Sequence, residues 1–201
     1  LLQKLIGDVT EGFEKYDTVK AVEVLHAFIS DLSTWYIRRS RDRVGPTVKE
    51  SPQKQAFYTT CFEELTTLSK LIAPLTPFLA EEMYRNLTGE ESVHLTSWPL
   101  RQRTAVHEEL AKNMVLARKI VESGHAQRKE AKIKVRQPLS EFRIRNSEFS
   151  LNEELLELIK QELNVKHIRV KPGKGELRVE LDTNITRELK AEGDARELVR
   201  Q

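Results

Sequence analysis

This chain of 201 residues holds one cysteine, two tryptophans and a formal net charge of only +2, and each scarcity removes a class of protein. Cys61 alone builds no disulfide framework, and with five scattered histidines it offers no zinc-ligand spacing. It lies on the apolar side of a helical pattern and is expected to be a small core residue. No apolar run approaches the roughly 20 residues needed to cross a bilayer. The opening LLQKLIGDV has no basic segment ahead of an apolar one, so no secretory leader is expected either. The expectation is a cytoplasmic protein. Because the charge is nearly balanced although about a third of the residues are charged, any nucleic-acid surface must come from local clustering. Catalytic signatures are missing too: there is no P-loop, dinucleotide glycine fingerprint, nucleophile elbow or metal-binding histidine pair. The paired carboxylates Glu63 and Glu64, Glu81 and Glu82, Glu108 and Glu109, and Glu153 and Glu154 fall in first turns or on polar helix faces, where helix solvation accounts for them.

What the chain has is helical periodicity and two basic clusters. Leu2, Leu5, Ile6, Val9 and Phe13 recur at helical spacing. After a capping Asp17 or Thr18, a second stripe runs through Ala21, Val22, Leu25, Phe28, Ile29, Leu32, Trp35 and Tyr36 and continues into arginines before Gly45 and Pro46. Ser51 with Pro52, and Thr76 with Pro77, are helix starts, a capping hydroxyl followed by the imino residue that the first turn tolerates. Pro74 and Gly89 close these two helices, and VHLTSWP (93–99) reads as an extended strap whose Trp98 packs back on the helices. Four helices with short connections predict an antiparallel helical bundle over residues 1–103.

Residues 104–201 read as a small α+β unit, making the whole chain mainly α. A long helix runs from about Thr104 to Arg128. The period then changes to two: Ile133 and Val135 alternate with Lys132, Lys134 and Arg136, and Phe142 and Ile144 with Arg143 and Arg145, as in strands with one wet face. Asn152 caps a helix with Leu155, Leu156, Ile159 and Leu163; Val165–Val170 and Leu177–Leu181, joined by Pro172 and Gly173 to Gly175, are predicted to pair as a hairpin; a last helix starts near Arg187. The chain begins at Leu1 without methionine and ends at Gln201 inside a helical pattern, so a piece of a longer polypeptide is expected.

The stretch DLSTWYIRRSRDR (31–43) is the first basic cluster. On an α-helix Thr34, Arg38 and Arg41 share a face, with Trp35 and Arg39 on its flank, and Arg43 comes next. Guanidinium groups pair with phosphates and stack on bases, and an indole beside them offers a base a flat partner, so RNA is the expected ligand. The bland readings are a helix C-terminus favouring cations and a tryptophan that belongs to the core. The second cluster is Arg128, Lys129, Lys132, Lys134 and Arg136, from RKEAKIKVRQPL, whose alternate residues in the strand part would line one face as a phosphate surface or domain dock, or would simply protect a sheet edge.

Taken together, DLSTWYIRRSRDR, LIAPLTPFLAEEMYRNL and VHLTSWP resemble the anticodon-binding helical domain of class I aminoacyl-tRNA synthetases of the isoleucine, valine and leucine group. ARKIVESGHAQRKEAKIKVRQPL and ELDTNITRELKAEGDARELVR are similar to the junction region that succeeds the bundle in isoleucyl-tRNA synthetases. The resemblance implies a tRNA-binding piece of an isoleucine-tRNA ligase that engages the anticodon stem-loop of tRNA-Ile, with the catalytic body elsewhere in the same polypeptide. ATP and magnesium would serve that body. The HIGH and KMSKS motifs are absent here, so the piece alone should catalyse nothing and needs no cofactor. Trp35, Arg38, Arg39, Arg41 and Arg43 would then meet the anticodon stem and loop, while Lys132, Lys134 and Arg136 would line the junction with RNA contact open to them. The alternatives are the equivalent piece of a valyl enzyme, which preference for a valine tRNA would reveal, and a protein-interaction scaffold, which would bind an acidic partner and no tRNA.

Overall fold

Leu5, Ile6 and Val9 bury one face of the first helix, α1 (Leu2–Glu14), and the chain turns back through a left-handed Tyr16 at φ 56°. The Asp17 carboxylate accepts the Lys20 N–H and starts α2 (Thr18–Asp31). Gly12 sits where the two helices touch: a β-carbon there would lie 3.2 Å from that of Ala21, which is itself fully buried. A π-helical turn, Leu32–Ile37, carries the chain into α3 (Arg38–Val44). The Ser51 hydroxyl accepts the Lys54 N–H at the start of α4 (Pro52–Ile72). Pro77 opens α5 (Pro77–Thr88), which ends on left-handed Gly89. Thr76 precedes α5 as expected, yet its hydroxyl donates back to Ile72 C=O at 3.4 Å instead of capping.

This computed structural model describes residues 1–102, 108–146, 151–172 and 177–199. The chain divides into two compact units, Leu1–Val106 and His107–Gln201. The junction expected between residues 103 and 104, and the helix start at Thr104, lie outside the described residues. Among those described, no helix is long and apolar enough to cross a membrane.

The core of the first unit joins Leu5, Ile6 and Val9 of α1 to Leu25 and Phe28 of α2, Leu68, Leu71 and Ile72 of α4, and Ala80 and Tyr84 of α5. Cys61 is half-buried on α4, not in this core, and burial together with the neighbouring Glu64 carboxylate pushes its thiol pKa up. The strap closes over the bundle. Glu81, one of the pairs ascribed to solvation, anchors it by accepting the Ser92 hydroxyl at 3.0 Å and the Val93 N–H at 2.9 Å. Trp98 packs edge-on against Phe13 at 5.8 Å and donates its indole N–H to the Thr10 hydroxyl at 2.8 Å, which in turn donates to Ile6 C=O. Trp98→Phe keeps most of the packing and loses that bond; a urea midpoint lower by the equivalent of about 1 kcal/mol is expected.

The second unit packs helices α6 (Glu108–Glu130) and α7 (Glu153–Leu163) on one face of a three-stranded sheet made of β1 (Leu139–Asn146), β2 (Val165–Pro172) and β3 (Arg178–Leu181), with α8 (Arg187–Leu198) closing it. Two expectations fail here. Residues 132–136 form no strand; they are a turn between α6 and β1. β2 and β3 form no hairpin either: β1 lies between them, parallel to β2 and antiparallel to β3, in the order β2-β1-β3. The expected hairpin turn at 173–175 lies outside the described residues. The central position goes to β1 because Phe142 and Ile144, both fully buried, supply the apolar middle of the sheet. The outer edge of β3 is covered by Gln127 of α6, whose side-chain amide takes both Val179 C=O and Leu181 N–H at 2.8 Å.

Candidate nucleic-acid interface

The arginine helix is mounted on α4 by an aromatic joint. In the π turn the Arg38 N–H reaches back five residues to Ser33 C=O, so the turn holds one residue more than an α turn and rotates α3 by about 100°. The expected unbroken helix is corrected to this extent. The extra residue lets the consecutive bulky side chains Tyr36 and Ile37 both reach the core, and the Tyr36 ring stacks on Phe57 of α4 at 5.5 Å. One turn on, Ser40 is fully buried, and the Tyr58 hydroxyl donates to Val44 C=O at 3.3 Å. The buried Lys54 fastens the next link by donating to Val48 C=O at 2.9 Å and pairing with Glu50 at 2.7 Å. Tyr36, Phe57, Tyr58 and Lys54 were not foreseen as parts of the site. Their signal in the sequence was an aromatic pair one turn inside the Ser51-Pro52 start.

With its inner side so fixed, α3 turns its cations outward. Arg38, Arg41 and Arg43 are exposed, and Arg39 and Trp35 are half-buried. The Arg38 Nε–H bonds Thr34 C=O at 2.6 Å, keeping those two residues on one face as expected. Arg43 donates to the Ser40 hydroxyl at 2.8 Å, which draws its guanidinium back along the helix. Trp35 is therefore neither core nor fully open: it is half-buried, one helical turn ahead of Arg38 and Arg39.

The second cluster lies in the other unit, and its order comes from the backbone. α6 ends with Ile133 N–H on Arg128 C=O and Lys132 N–H on Lys129 C=O, with Lys132 left-handed at φ 55°. From there the four successive carbonyls of residues 134 to 137 turn inward. Lys134 C=O and Gln137 C=O accept from Arg128, and Val135 C=O and Arg136 C=O from the Asn164 amide. Lys132, Lys134 and Arg136 are exposed around this turn. Glu197 of α8 pairs with Lys134 at 3.7 Å and with Arg136 at 3.5 Å, surface ion pairs of little strength that an anion could displace.

Arg128, expected as part of this basic surface, is instead a buried clamp. All five of its N–H donors are used: Leu163 C=O takes two, and Asn164, Lys134 and Gln137 take one each. Burial lowers its pKa to about 10, which leaves it charged at neutral pH. Its counter-charge is the carbonyl end of α7. No grouping of three or more histidine, cysteine, aspartate or glutamate side chains among the described residues is placed to hold a metal ion.

The family model described as the anticodon-binding domain of tRNA ligase matches residues 1–143. The chain belongs to that family. Among curated relatives, the chain is 44% identical over 171 residues to the isoleucine–tRNA ligase of Streptomyces coelicolor, covering 82% of the chain and 16% of that protein. The corresponding ligase of Dehalococcoides mccartyi is 37% identical over 220 residues, with 98% of the chain and 22% of the relative covered. That of Thermococcus kodakarensis is 36% identical over 209 residues, covering 98% and 19%. The chain thus spans about a fifth of the length of these relatives. The match to residues 1–143 takes in α6 and the start of β1 as well as the bundle, while the relatives covering 98% of the chain extend the likeness across the sheet.

Proposed function

We propose that this chain is the tRNA-contacting part of an isoleucine–tRNA ligase and that it engages the anticodon stem-loop of tRNA-Ile through Trp35, Arg38, Arg39, Arg41 and Arg43. The observation that carries the reading is the family match over residues 1–143, which includes the arginine-bearing helix braced on α4. Unpaired anticodon bases are read by splaying them onto aromatic or guanidinium planes, and the surrounding phosphates are held by paired donors. A half-buried indole beside three exposed arginines on a braced helix meets both requirements. Lys132, Lys134 and Arg136 are proposed as a secondary contact, with Glu197 the group displaced. Aminoacylation, with ATP and magnesium, belongs in this reading to the rest of the polypeptide; no residue of this chain is assigned to either.

The test is a titration of the chain with an isoleucine-type tRNA and with the same tRNA carrying a swapped anticodon, at two salt concentrations. Tighter binding of the cognate anticodon at both salts is expected. Arg38→Glu with Arg41→Glu should weaken binding and lower the salt slope by roughly 1.4 to 1.8, at about 0.7 to 0.9 for each phosphate no longer neutralised. Unchanged affinity in that folded double variant rejects the site, and preference for a valine tRNA rejects the assignment to isoleucine.

A further inference from the structure

We propose that the solvent-facing side of the sheet in the second unit is a further RNA-backbone surface, in which Arg145, Lys171 and Arg178 hold phosphates. The register makes the case. Arg145 of β1 pairs directly with Lys171 of β2 on one side and with Arg178 of β3 on the other, so three exposed cations form a row straight across the sheet, about 4.8 Å apart from strand to strand. The next row is built differently. Arg143 stands between Arg169 and Glu180, and the buried carboxylate of Glu141 pairs with both Arg143 and Arg169 while Glu180 lies 3.6 Å from Arg143. With Glu141 reaching in from the adjacent row, its two cations face two carboxylates. The row of Arg145, Lys171 and Arg178 has no carboxylate among its cross-strand partners in the described residues.

Like charges placed directly opposite one another destabilise a sheet. Protection of a sheet edge explains cations on β2 or β3, but not Arg145, which lies on the central strand with both edges already paired. The occupant is indicated by the composition of the face. Beyond the buried pair Leu139–Val165 at the start of β1 and β2, the face is made of Glu141, Arg143, Arg145, His167, Arg169, Lys171, Arg178 and Glu180, and none of these is apolar. A protein partner would need aromatic or aliphatic side chains at the centre of such a patch, whereas a phosphate backbone needs only donors and positive charge. Arginine at the centre supplies a two-pronged donor, and the lysine beside it a point charge. This proposal rests on the reading of the chain as a tRNA-binding module and names a second place where the same RNA is held.

The variant is Arg145→Gln with Lys171→Gln and Arg178→Gln in the 201-residue chain, with Arg145→Gln alone as the milder change. Lys160→Gln, at an exposed lysine paired with Glu157, is the control. The probe is an isoleucine-type tRNA transcript titrated across a salt series. The triple variant should lose affinity at low salt and roughly 2 to 3 units of salt slope, Arg145→Gln roughly 1, and the control none. Wild-type affinity and slope in a folded triple variant, with binding abolished by Arg38→Glu and Arg41→Glu, would overturn this inference and leave the anticodon site standing. If the unmodified chain binds no tRNA at any salt, the proposed function fails and this surface with it.

Discussion

Arg128→Met should destabilise the second unit by about 3–5 kcal/mol, a large part of the stability of a unit this size. The methionine fills much of the space but donates nothing. Leu163 C=O, Lys134 C=O and Gln137 C=O then lose the guanidinium that served them, each at roughly 1–3 kcal/mol where water cannot reach. Arg128→Lys should fall between the two, because one ammonium cannot span the end of α7 and the turn at 134–137 together. The clamp has a defined pH dependence as well. Burial lowers the folded pKa to about 10, so below that value both folded and unfolded chains hold the proton and the clamp adds no pH dependence; above it the unfolded chain binds more protons, and this group's contribution rises with pH. Urea midpoints of both variants at pH 7 and 9 check the magnitude and the flat profile.

Phe142→Ala should cost about 3–5 kcal/mol, the range for an aromatic side chain removed from a closed core. Phe142 is fully buried on the central strand, with Ile168 and Leu181 as its cross-strand partners and α6 and α7 over that face. Its neighbour Arg143 is exposed on the opposite face, and the Glu141 carboxylate it pairs with keeps Arg169 as a second partner, so Arg143→Ala should cost less. The two units can be followed separately. Both tryptophans, Trp35 and Trp98, and all four tyrosines lie in the first unit, so intrinsic fluorescence reports that unit alone. Phe142→Ala is expected to shift the circular-dichroism transition while leaving the fluorescence transition in place. A fluorescence shift of the same size would show that the units melt as one.

Much of the fold was legible because its signals are local. Ser51-Pro52, Pro77, Gly89 and Asn152 mark helix ends by their own backbone chemistry, and the alternation of Phe142 and Ile144 with arginines is a true strand signal. The misreadings share a cause in distant partners. Ile133 and Val135 alternate with cations like strand residues, yet Val135 is 57% exposed, and the segment is shaped by Arg128 and Asn164 from other elements. The end of α6 carried no glycine to announce it, because a lysine occupies the left-handed position. Pro172 and the glycines after it did suggest a reversal, but no local turn says that a third strand lies between the two it joins. In the candidate site the cationic face could be read at once, while the π turn and the Tyr36–Phe57 stack arise only when two helices meet.

The inward-turned carbonyls at 134–137 separate the shape of the turn from its chemistry. The bonds that fix this turn run from its main-chain oxygens to Arg128 and Asn164 and from the Gln137 N–H to Lys134 C=O, and none of these uses the side chains of Lys132, Lys134 or Arg136. The turn is thereby a fixed plate whose projecting groups can be exchanged, by evolution or in the laboratory, without redrawing the path of the chain.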